Sequence, residues 1–219
     1  MGSRNRPIGR RARFITLEGG EGSGKTTQAA RLRLALASRG IEAIITREPG
    51  GAPGAEQIRK LLVGGRKDRW DQRAEALLHF AARCEHVAKT IRPALGQGVW
   101  VLCDRFADST MAYQGYAQGL GRRAVEELRA AALGAFAPDL TLILDVPVAT
   151  GLRREAQRSG SSAEARYSRM GLAFHRKVRQ AFLDIAARNP RRCVVVDARR
   201  SADAVHRAVW NVVEEHLLG

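Results

Sequence analysis

The chain has 219 residues, of which 45% are hydrophobic, and its formal net charge is +15 at pH 7. This length predicts one domain with a full core, and the absence of a long apolar run excludes a membrane-spanning helix. Three cysteines at distant positions exclude a disulfide scaffold and indicate reduced thiols in a cytoplasmic protein. Because the arginines are spread along predicted helices, specific nucleic-acid binding is not indicated.

Residues 1–13 are polar, arginine-rich and without periodicity, and they predict a disordered basic extension. Beyond them, apolar runs typical of strands alternate with amphipathic stretches typical of helices. The predicted strands are 14–17, 41–45, 99–103, 140–146 and 193–197. The predicted helices are 25–39, 54–63, 71–96, 122–135, 148–157, 168–188 and 201–217. This alternation predicts a single α/β domain over 14–219, a doubly wound parallel five-stranded sheet flanked by helices.

A glycine-rich segment lies between the first predicted strand and the first predicted helix. It reads Gly19-Gly20-Glu21-Gly22-Ser23-Gly24-Lys25-Thr26 and fits the pattern G-x-x-x-x-G-K-[ST], the phosphate loop. Backbone N–H groups of such a loop turn inward around phosphate oxygens at a helix N-terminus. Lys25 is expected to reach the outer phosphates, and Thr26 to hold Mg²⁺. The segment therefore predicts binding of a nucleoside triphosphate with Mg²⁺.

Charged residues follow two further predicted strands, at the edge of the sheet where the phosphate loop lies. Asp104 is placed to orient Mg²⁺, and its neighbour Arg105 can clamp a phosphate through paired hydrogen bonds. Arg47 adds a second arginine at the same edge. Two anion clamps facing one phosphate loop indicate a second phosphorylated molecule, and hence phosphoryl transfer between nucleotides. Asn-Lys-x-Asp and Asp-x-x-Gly motifs are absent from the sequence, which argues against a regulatory GTPase.

Four segments, in this order and spacing, resemble the bacterial thymidylate kinase family. They are the phosphate-loop segment 14–27, Thr-Arg-Glu-Pro-Gly-Gly at 46–51, Ala-Ala-Arg with His86 at 81–86, and Asp-Arg-Phe with Ala-Tyr-Gln-Gly at 104–115. The resemblance runs from about residue 14 to the end of the chain. It implies a P-loop kinase that transfers the γ-phosphate of ATP to dTMP, giving dTDP and ADP, and that forms a homodimer.

The resemblance also implies roles for individual residues. The loop 19–26 with Thr27 would hold the ATP phosphates, and Asp197 with Ala198 would lie near the adenine. Glu21 would contact the deoxyribose of dTMP. The remaining residues implied to bind dTMP are Arg47 and Arg105 at its phosphate, Arg83 at a base carbonyl, and Ser109, Thr110, Tyr113 and Gln114 around the base and sugar.

A short mobile lid is predicted at about 153–167, where Arg158 is followed by the small, flexible run Ser-Gly-Ser-Ser-Ala. The phosphate loop holds Glu21-Gly22 and no arginine, so the resemblance is to the type that supplies a catalytic arginine from the lid. Arg158 is the first candidate and Arg154 the second. A closing lid would also exclude water from the reacting phosphates.

Two departures from the family pattern concern the base pocket and the lid. The aromatic residue expected to stack on thymine falls at His79, with Phe80 one residue later, and both remain candidates. After the lid, the family commonly has Asp-Arg-Phe-Glu, whereas this chain has Ala165-Arg166-Tyr167-Ser168. The loss of both acids removes any contact that they make with nucleotide, magnesium or lid arginines.

Three alternatives to dTMP phosphorylation stay open on the sequence alone. The first is a related kinase acting on a deoxynucleoside or another monophosphate. The second is a nucleic-acid-stimulated ATPase that uses the positive charge, and the third is a catalytically idle binding protein. The two phosphate-facing arginines favour a monophosphate acceptor, and Thr110, Tyr113 and Gln114 favour a pyrimidine deoxynucleotide. The idle binding protein is disfavoured because every charged position of the transfer site is filled.

Overall fold

Five apolar runs form one parallel sheet in the computed structural model, which describes residues 11–66, 68–159 and 166–219, the side chains of residues 158 and 159 excepted. The spatial order is β2-β3-β1-β4-β5, and every neighbouring pair is parallel. The predicted doubly wound sheet is therefore confirmed. The strands are β1 (Phe14–Glu18), β2 (Ala43–Arg47), β3 (Trp100–Asp104), β4 (Leu140–Asp145) and β5 (Cys193–Asp197).

Helices cover both faces of this sheet. They are α1 (Lys25–Ser38), α2 (Pro53–Val63), α3 (Gln72–His86), α4 (Arg92–Gly96), α5 (Ala107–Thr110), α6 (Arg122–Leu133), α7 (Val148–Ser159), α8 (Leu172–Arg188) and α9 (Ala202–Val213). Three π-helical segments extend them: Val87–Ile91 between α3 and α4, Met111–Ala117 after α5, and Glu214–Leu218 after α9. The sequence pattern did not predict the helical stretch 107–117.

The core is built on the two faces of the central strands. All five residues of β1 are buried, as expected for a parallel strand covered on both sides. On one face Ile15 packs with Leu32 of α1 and Val209 of α9. On the other, Phe14 packs with Phe106 in a cluster that includes residues of α3 and α6. Burial of each such side chain stabilises the fold by about 1.5–3 kcal/mol, and this packing fixes the sheet edge where the site lies.

The strand boundaries bring the predicted polar residues to one edge. β2 begins and ends two residues later than the predicted run 41–45, so Arg47 is its last residue. Arg47 pairs in register with Asp104, and Asp104 with Leu17, one residue before the end of β1. The carboxyl ends of β1, β2 and β3 therefore meet beside the phosphate loop. Over the described ranges, no helix combines the length and apolar character needed to cross a membrane.

The segments predicted as an extension and a lid are described in part. Residues 1–10 of the extension lie outside the described residues, and Arg13 at its end donates to Asp139 at 3.2 Å. The predicted lid, 153–167, begins within α7, which continues to Ser159. Residues 160–165 lie outside the described residues, and a turn from residue 166 leads to α8. The lid assignment stays a prediction.

Candidate active site

A cavity of about 880 Å³ opens at the carboxyl edge of the sheet. It brings together residues from the phosphate loop, the ends of β2 and β3, helix α3 and the stretch 107–117. The predicted site residues that line it are Glu21, Gly22, Ser23, Gly24, Lys25, Thr26, Thr27, Arg47, His79, Arg83, Asp104, Arg105, Ser109, Thr110, Tyr113, Gln114, Arg154 and Ala198. The structure thus gathers residues that the chain separates by more than 170 positions.

The phosphate loop is held in shape by its own lysine. Lys25 Nζ donates to the carbonyl oxygens of Gly19 at 3.1 Å and Gly20 at 2.8 Å, and to Ser23 Oγ at 3.2 Å. Burial, followed by the positive charge of Arg105, lowers the pKa of Lys25 to about 8. Because this pKa still lies above 7, Lys25 is mainly charged at neutral pH, and a phosphate anion would stabilise that charge, so the geometry fits the predicted role.

A close approach of two backbones explains one glycine of this loop. A Cβ atom on Gly22, whose φ is +63°, would lie 2.0 Å from the Gly151 carbonyl oxygen of α7. The loop therefore packs directly on the helix that carries the candidate lid arginines. This contact ties the position of α7 to that of the phosphate loop.

Thr26 and Asp104 form the candidate magnesium site. The Thr26 hydroxyl donates to Asp104 Oδ2 at 2.7 Å, and both residues line the cavity. Because the hydroxyl proton is held by the carboxylate, the threonine lone pairs stay available to a cation. Across the described ranges, no cluster of three or more His, Cys, Asp or Glu side chains could hold a metal by itself. One hydroxyl and one carboxylate fit Mg²⁺ carried by a nucleotide, because this ion keeps waters and phosphates as its other ligands.

Arg105 connects the phosphate loop with the opposite wall of the cavity. Its Nη1 donates to the Gly19 carbonyl oxygen at 3.0 Å and to Ser109 Oγ at 3.3 Å, and its Nη2 to Glu21 Oε1 at 3.0 Å. Its backbone has φ of 70°, the left-handed region that is rare outside glycine. These bonds use three of the five guanidinium N–H donors, so two are left for an anion.

Glu21 is kept ionised among these groups. It accepts from the Tyr113 hydroxyl at 2.9 Å as well as from Arg105. Burial raises the pKa of Glu21, but Arg105, Lys25 and the Tyr113 hydrogen bond outweigh it and lower the pKa to about 2. An ionised carboxylate of the phosphate loop therefore accepts from the Tyr113 hydroxyl, and the Arg105 guanidinium lies 5.1 Å from the centre of the Tyr113 ring.

Arg47 is the second arginine of the acceptor edge. It lines the cavity from the end of β2, and its Nη2 donates to Glu56 Oε2 at 3.2 Å. Glu56 also accepts from the Gly51 backbone N–H at 2.8 Å. Half of the Arg47 side chain is exposed, so it can adjust to an anion at small cost.

Glu18, which the sequence analysis did not select, positions the segment that carries Ser109. This fully buried carboxylate accepts from the backbone N–H groups of Phe106 at 2.7 Å and Ser109 at 3.2 Å, and from Ser109 Oγ at 2.6 Å. Burial, together with the nearby charge of Asp108, raises the pKa of Glu18 to about 7. The sequence feature that could have indicated Glu18 as a site residue is its position as the one charged residue of β1, at the end of the strand.

Arg83 crosses the floor of the cavity in a buried ion pair. Its Nε donates to Glu48 Oε2 at 2.6 Å, and its Nη2 donates to the Phe106 carbonyl at 3.0 Å and to Thr110 Oγ1 at 3.1 Å. Nη1 is buried and has no hydrogen-bond partner in the described part of the chain. A buried donor without an acceptor costs about 1–3 kcal/mol, so an acceptor supplied by a ligand at Nη1 would be favourable.

The two candidates for stacking on the base, His79 and Phe80, lie in different surroundings. His79 lines the cavity, and its Nε2 lies 2.9 Å from the Tyr167 hydroxyl. Phe80 instead packs in the core cluster with Phe14 and lies under the guanidinium of Arg83. Burial and then the charge of Arg83 lower the pKa of His79 to about 3. The ring at the cavity wall is therefore a neutral imidazole.

Of the two candidate lid arginines, Arg154 and Arg158, the structure describes the side chain of Arg154 alone. Arg154 donates from Nη1 to the Ala198 carbonyl at 3.0 Å and from Nη2 to the Arg199 carbonyl at 3.3 Å. It is thus bonded to the loop after β5, the predicted adenine side. The side chain of Arg158 lies outside the described residues. Asp197 forms an exposed ion pair with Arg199 at 2.9 Å, while Ala198 lines the cavity.

Several residues of the site were missed because their partners are distant in the sequence. Glu48 is buried between Arg83 and His86, and Tyr167 with Ser168 lines the cavity from the turn before α8. Glu75 is a buried carboxylate one helical turn before His79. Spacing of four residues along α3 places Glu75, His79 and Arg83 on one face, and this was the available signal. Ala165 lies outside the described residues.

Comparison with known proteins agrees with this geometry. The family model described as thymidylate kinase matches residues 17–209. A thymidylate kinase of Afipia carboxidovorans is 51% identical over 207 residues, covering 94% of this chain and 91% of the relative. That of Caulobacter vibrioides is 50% identical over 204 residues, covering 93% and 97%.

A solved structure shows the same relationship. The crystal structure of thymidylate kinase from Ehrlichia chaffeensis has a TM-score of 0.74 and 36% identity, covering 92% of this chain and 98% of its own. The phosphate loop, Arg47 and Arg105 thus lie within the range that the family model matches. The chain belongs to the thymidylate kinase family.

Proposed function

We propose that this chain transfers the γ-phosphate of ATP to dTMP, giving dTDP and ADP. One observation carries the proposal beyond family membership: Arg105, the arginine of the acceptor side, donates to the Gly19 carbonyl of the phosphate loop at 3.0 Å. A phosphate held by the two remaining donors of Arg105 therefore lies next to the phosphates held by the loop. Transfer between them needs no large movement of the acceptor.

Phosphoryl transfer depends mainly on alignment and on neutralising charge, since the transferred group is metaphosphate-like in the transition state. Lys25 and the loop N–H groups hold the donor phosphates, and Arg105 with Arg47 holds the acceptor phosphate in line. Thr26 and Asp104 would hold Mg²⁺, which when bound with ATP neutralises charge on the β- and γ-phosphates. Removal of water by the predicted lid protects ATP from hydrolysis.

The sugar and base of dTMP occupy the wall between β3 and α3. The ionised Glu21 accepts from the deoxyribose hydroxyl, and the Tyr113 ring lies against the position where a ribose would carry its extra hydroxyl. The unpartnered Nη1 of Arg83 donates to a base carbonyl. The His79 ring stacks on the base, with Ser109, Thr110 and Gln114 around it. ATP would place its adenine at Ala198, near Asp197.

The proposal includes a homodimer and a cytoplasmic location. Family resemblance supports the dimer, and half-exposed Leu77 on α3 gives that helix an apolar position at the surface. The three cysteines are free thiols, two of them buried, which suits a reducing compartment. Sedimentation of the purified chain tests the dimer.

A substrate panel tests the function. ADP formation from Mg·ATP is measured with dTMP, dUMP, dCMP, dAMP, dGMP, thymidine and duplex DNA offered separately. We expect turnover with dTMP well above the other acceptors. Turnover with thymidine alone would instead identify a nucleoside kinase, and turnover stimulated only by DNA would identify a nucleic-acid-dependent ATPase.

His79→Phe is expected to be tolerated and to lower the KM for dTMP by about threefold. A phenyl ring offers a larger apolar face to the base, and stacking on an aromatic side chain contributes about 1–3 kcal/mol per base. The substitution removes the bond to the Tyr167 hydroxyl, which limits the gain. Steady-state kinetics with dTMP varied measures it, with Phe80→Leu, a substitution in the core cluster, as control. Loss of dTMP binding in His79→Phe would contradict stacking at this position.

A further inference from the structure

Glu75 is the centre of a buried hydrogen-bond network beside the base pocket. Its Oε1 accepts from Gln114 Nε2 at 2.7 Å, Gln118 Nε2 at 2.9 Å and the Tyr167 hydroxyl at 2.7 Å. Its Oε2 accepts from Arg166 Nη2 at 2.5 Å. The side chains of Glu75 and Arg166 are each 1% exposed. A carboxylate with this many donors stays ionised and acts as an acceptor only.

Donors outside α3 stabilise the negative charge of Glu75. Arg166 also donates to the carbonyl oxygens of Arg66 at 3.1 Å and Leu62 at 3.3 Å, at the end of α2. Burial raises the pKa of Glu75, but the hydrogen bonds from Tyr167, Arg166 and Gln118 lower it below its usual range. The turn that begins at residue 166, where the predicted lid ends, therefore holds Glu75 in its ionised form.

An ionised Glu75 determines which end of the Gln114 amide faces the cavity. The amide has a donating NH₂ group and an accepting oxygen, and only the NH₂ group can approach a carboxylate. Gln114 Nε2 also lies 3.3 Å from the Tyr167 oxygen, whose proton is donated to Glu75. Both hydrogens of the NH₂ group are thereby engaged. Gln114 lines the cavity, so Oε1 is the amide atom left to face a ligand.

The orientation of this amide distinguishes two classes of pyrimidine. Thymine and uracil carry a hydrogen on N3, which an amide oxygen can accept. Cytosine carries a lone pair on N3, which would meet the oxygen without a hydrogen between them. Rotation of the amide would suit cytosine, but it would place Oε1 against the Glu75 carboxylate. Repulsion of the wrong partner supplies specificity in the same way as attraction of the right one.

We infer that Glu75 is a specificity-determining positioning residue, which locks the Gln114 amide with its oxygen towards the base and so selects a pyrimidine with a protonated N3 over cytosine. The inference rests on the proposed function, because it assumes that a pyrimidine monophosphate occupies the cavity. Glu75 acts through Gln114 and does not itself touch the nucleotide.

Kinetics with dTMP, dUMP and dCMP test this inference in the full-length chain. Glu75→Gln lets the Gln114 amide rotate, so the ratio of kcat/KM for dTMP to that for dCMP is expected to fall about tenfold. The change should lie in KM more than in kcat. The ratio of dTMP to dUMP should stay the same, because both bases carry the N3 hydrogen, whereas general damage to the pocket would change it.

Two further variants show whether the effect passes through Gln114. In a Gln114→Leu background, Glu75→Gln should cause no further change in the dTMP to dCMP ratio. Gln118→Met removes a different donor from the same oxygen and should leave the ratio at its wild-type value. A wild-type ratio in folded Glu75→Gln would overturn the inference, as would an equal fall in the Gln114→Leu background.

A second substitution keeps the test valid if Glu75→Gln does not fold, since Glu75→Gln removes the buried carboxylate that balances the charge of Arg166. Tyr167→Phe retains the ring and removes the hydroxyl that is hydrogen-bonded to Glu75, Gln114 and His79, so it should lower the same ratio about threefold. An unchanged ratio in this variant would also overturn the inference. Failure of the wild-type protein to use dTMP would instead overturn the proposed function, and the two failures are therefore distinguishable.

Discussion

Arg105→Lys is expected to lower kcat/KM for dTMP by about 10²–10³-fold, the range seen when a preorganised donor is removed from an active site. The planar guanidinium of Arg105 donates hydrogen bonds to the Gly19 carbonyl, Ser109 Oγ and Glu21 Oε1 at the same time. A lysine ammonium on a flexible stem cannot make these bonds and also pair with a phosphate. Because lysine keeps the positive charge, a fall in kcat/KM would reflect the loss of hydrogen-bond geometry and not of net charge.

Steady-state kinetics with dTMP varied at saturating Mg·ATP measures this loss, and thermal unfolding checks that the variant folds. Arg47→Lys is the matched control, because Arg47 faces the same cavity but is half-exposed and bonded only through Nη2 to Glu56 among the described residues. We expect it to lose about tenfold or less. An Arg105→Lys enzyme within threefold of the wild type would show that Arg105 does not hold the acceptor phosphate.

The fold could be predicted because its determinants are local in sequence. Apolar runs of strand length alternate with amphipathic stretches, and short parallel strands joined by helices have one common arrangement. The helical stretch 107–117 was not predicted because its apolar residues show no helical periodicity. Many of its side chains are hydroxyls, amides and phenols that face the cavity, so it lacks the pattern of an amphipathic helix. The start of β2 was predicted two residues too early because Ile41 is apolar. Ile41 packs against the core, but it lies before the strand.

The site could be predicted where chemistry requires a fixed spacing, as in the phosphate loop and the Asp104-Arg105 pair. It could not be predicted where a residue acts through a distant partner. Glu18 is joined to Ser109 across 91 positions and Glu75 to Arg166 across the same separation. A single sequence does not reveal that such carboxylates are buried. The departure at 165–168 was visible, but its meaning, a tyrosine hydroxyl bonded to Glu75, required the fold.

The phosphate loop would contact both substrates in the proposed mechanism. Its carbonyl oxygens accept from Lys25 on the donor side and from Arg105 on the acceptor side, and its Glu21 reaches Tyr113 beside the proposed sugar site. An acceptor that seats Arg105 and Glu21 correctly therefore also constrains the donor loop. This coupling would let one loop without an arginine align two nucleotides, while another residue stabilises the transferred group.

That residue is predicted to be Arg158, and Arg158→Ala is expected to lower kcat by about 10³-fold while changing the KM for ATP little, since an arginine at the transferred phosphoryl group contributes 10³–10⁵ in related enzymes. Arg154 precedes it by one turn of α7 and is bonded to the carbonyl oxygens of residues 198 and 199. Arg154→Ala should therefore raise the KM for ATP more than it lowers kcat.

Single-turnover and steady-state measurements on both variants separate chemistry from ATP binding, and Arg153→Ala, at an exposed position of the same helix, is the control for loss of charge. An unchanged kcat in Arg158→Ala would remove Arg158 from the mechanism. A large loss of kcat in Arg154→Ala would instead mean that Arg154 leaves the 198–199 carbonyls when the nucleotides bind. Because α7 packs on Gly22 of the phosphate loop, either arginine would start its approach to the γ-phosphate from a helix already fixed against that loop.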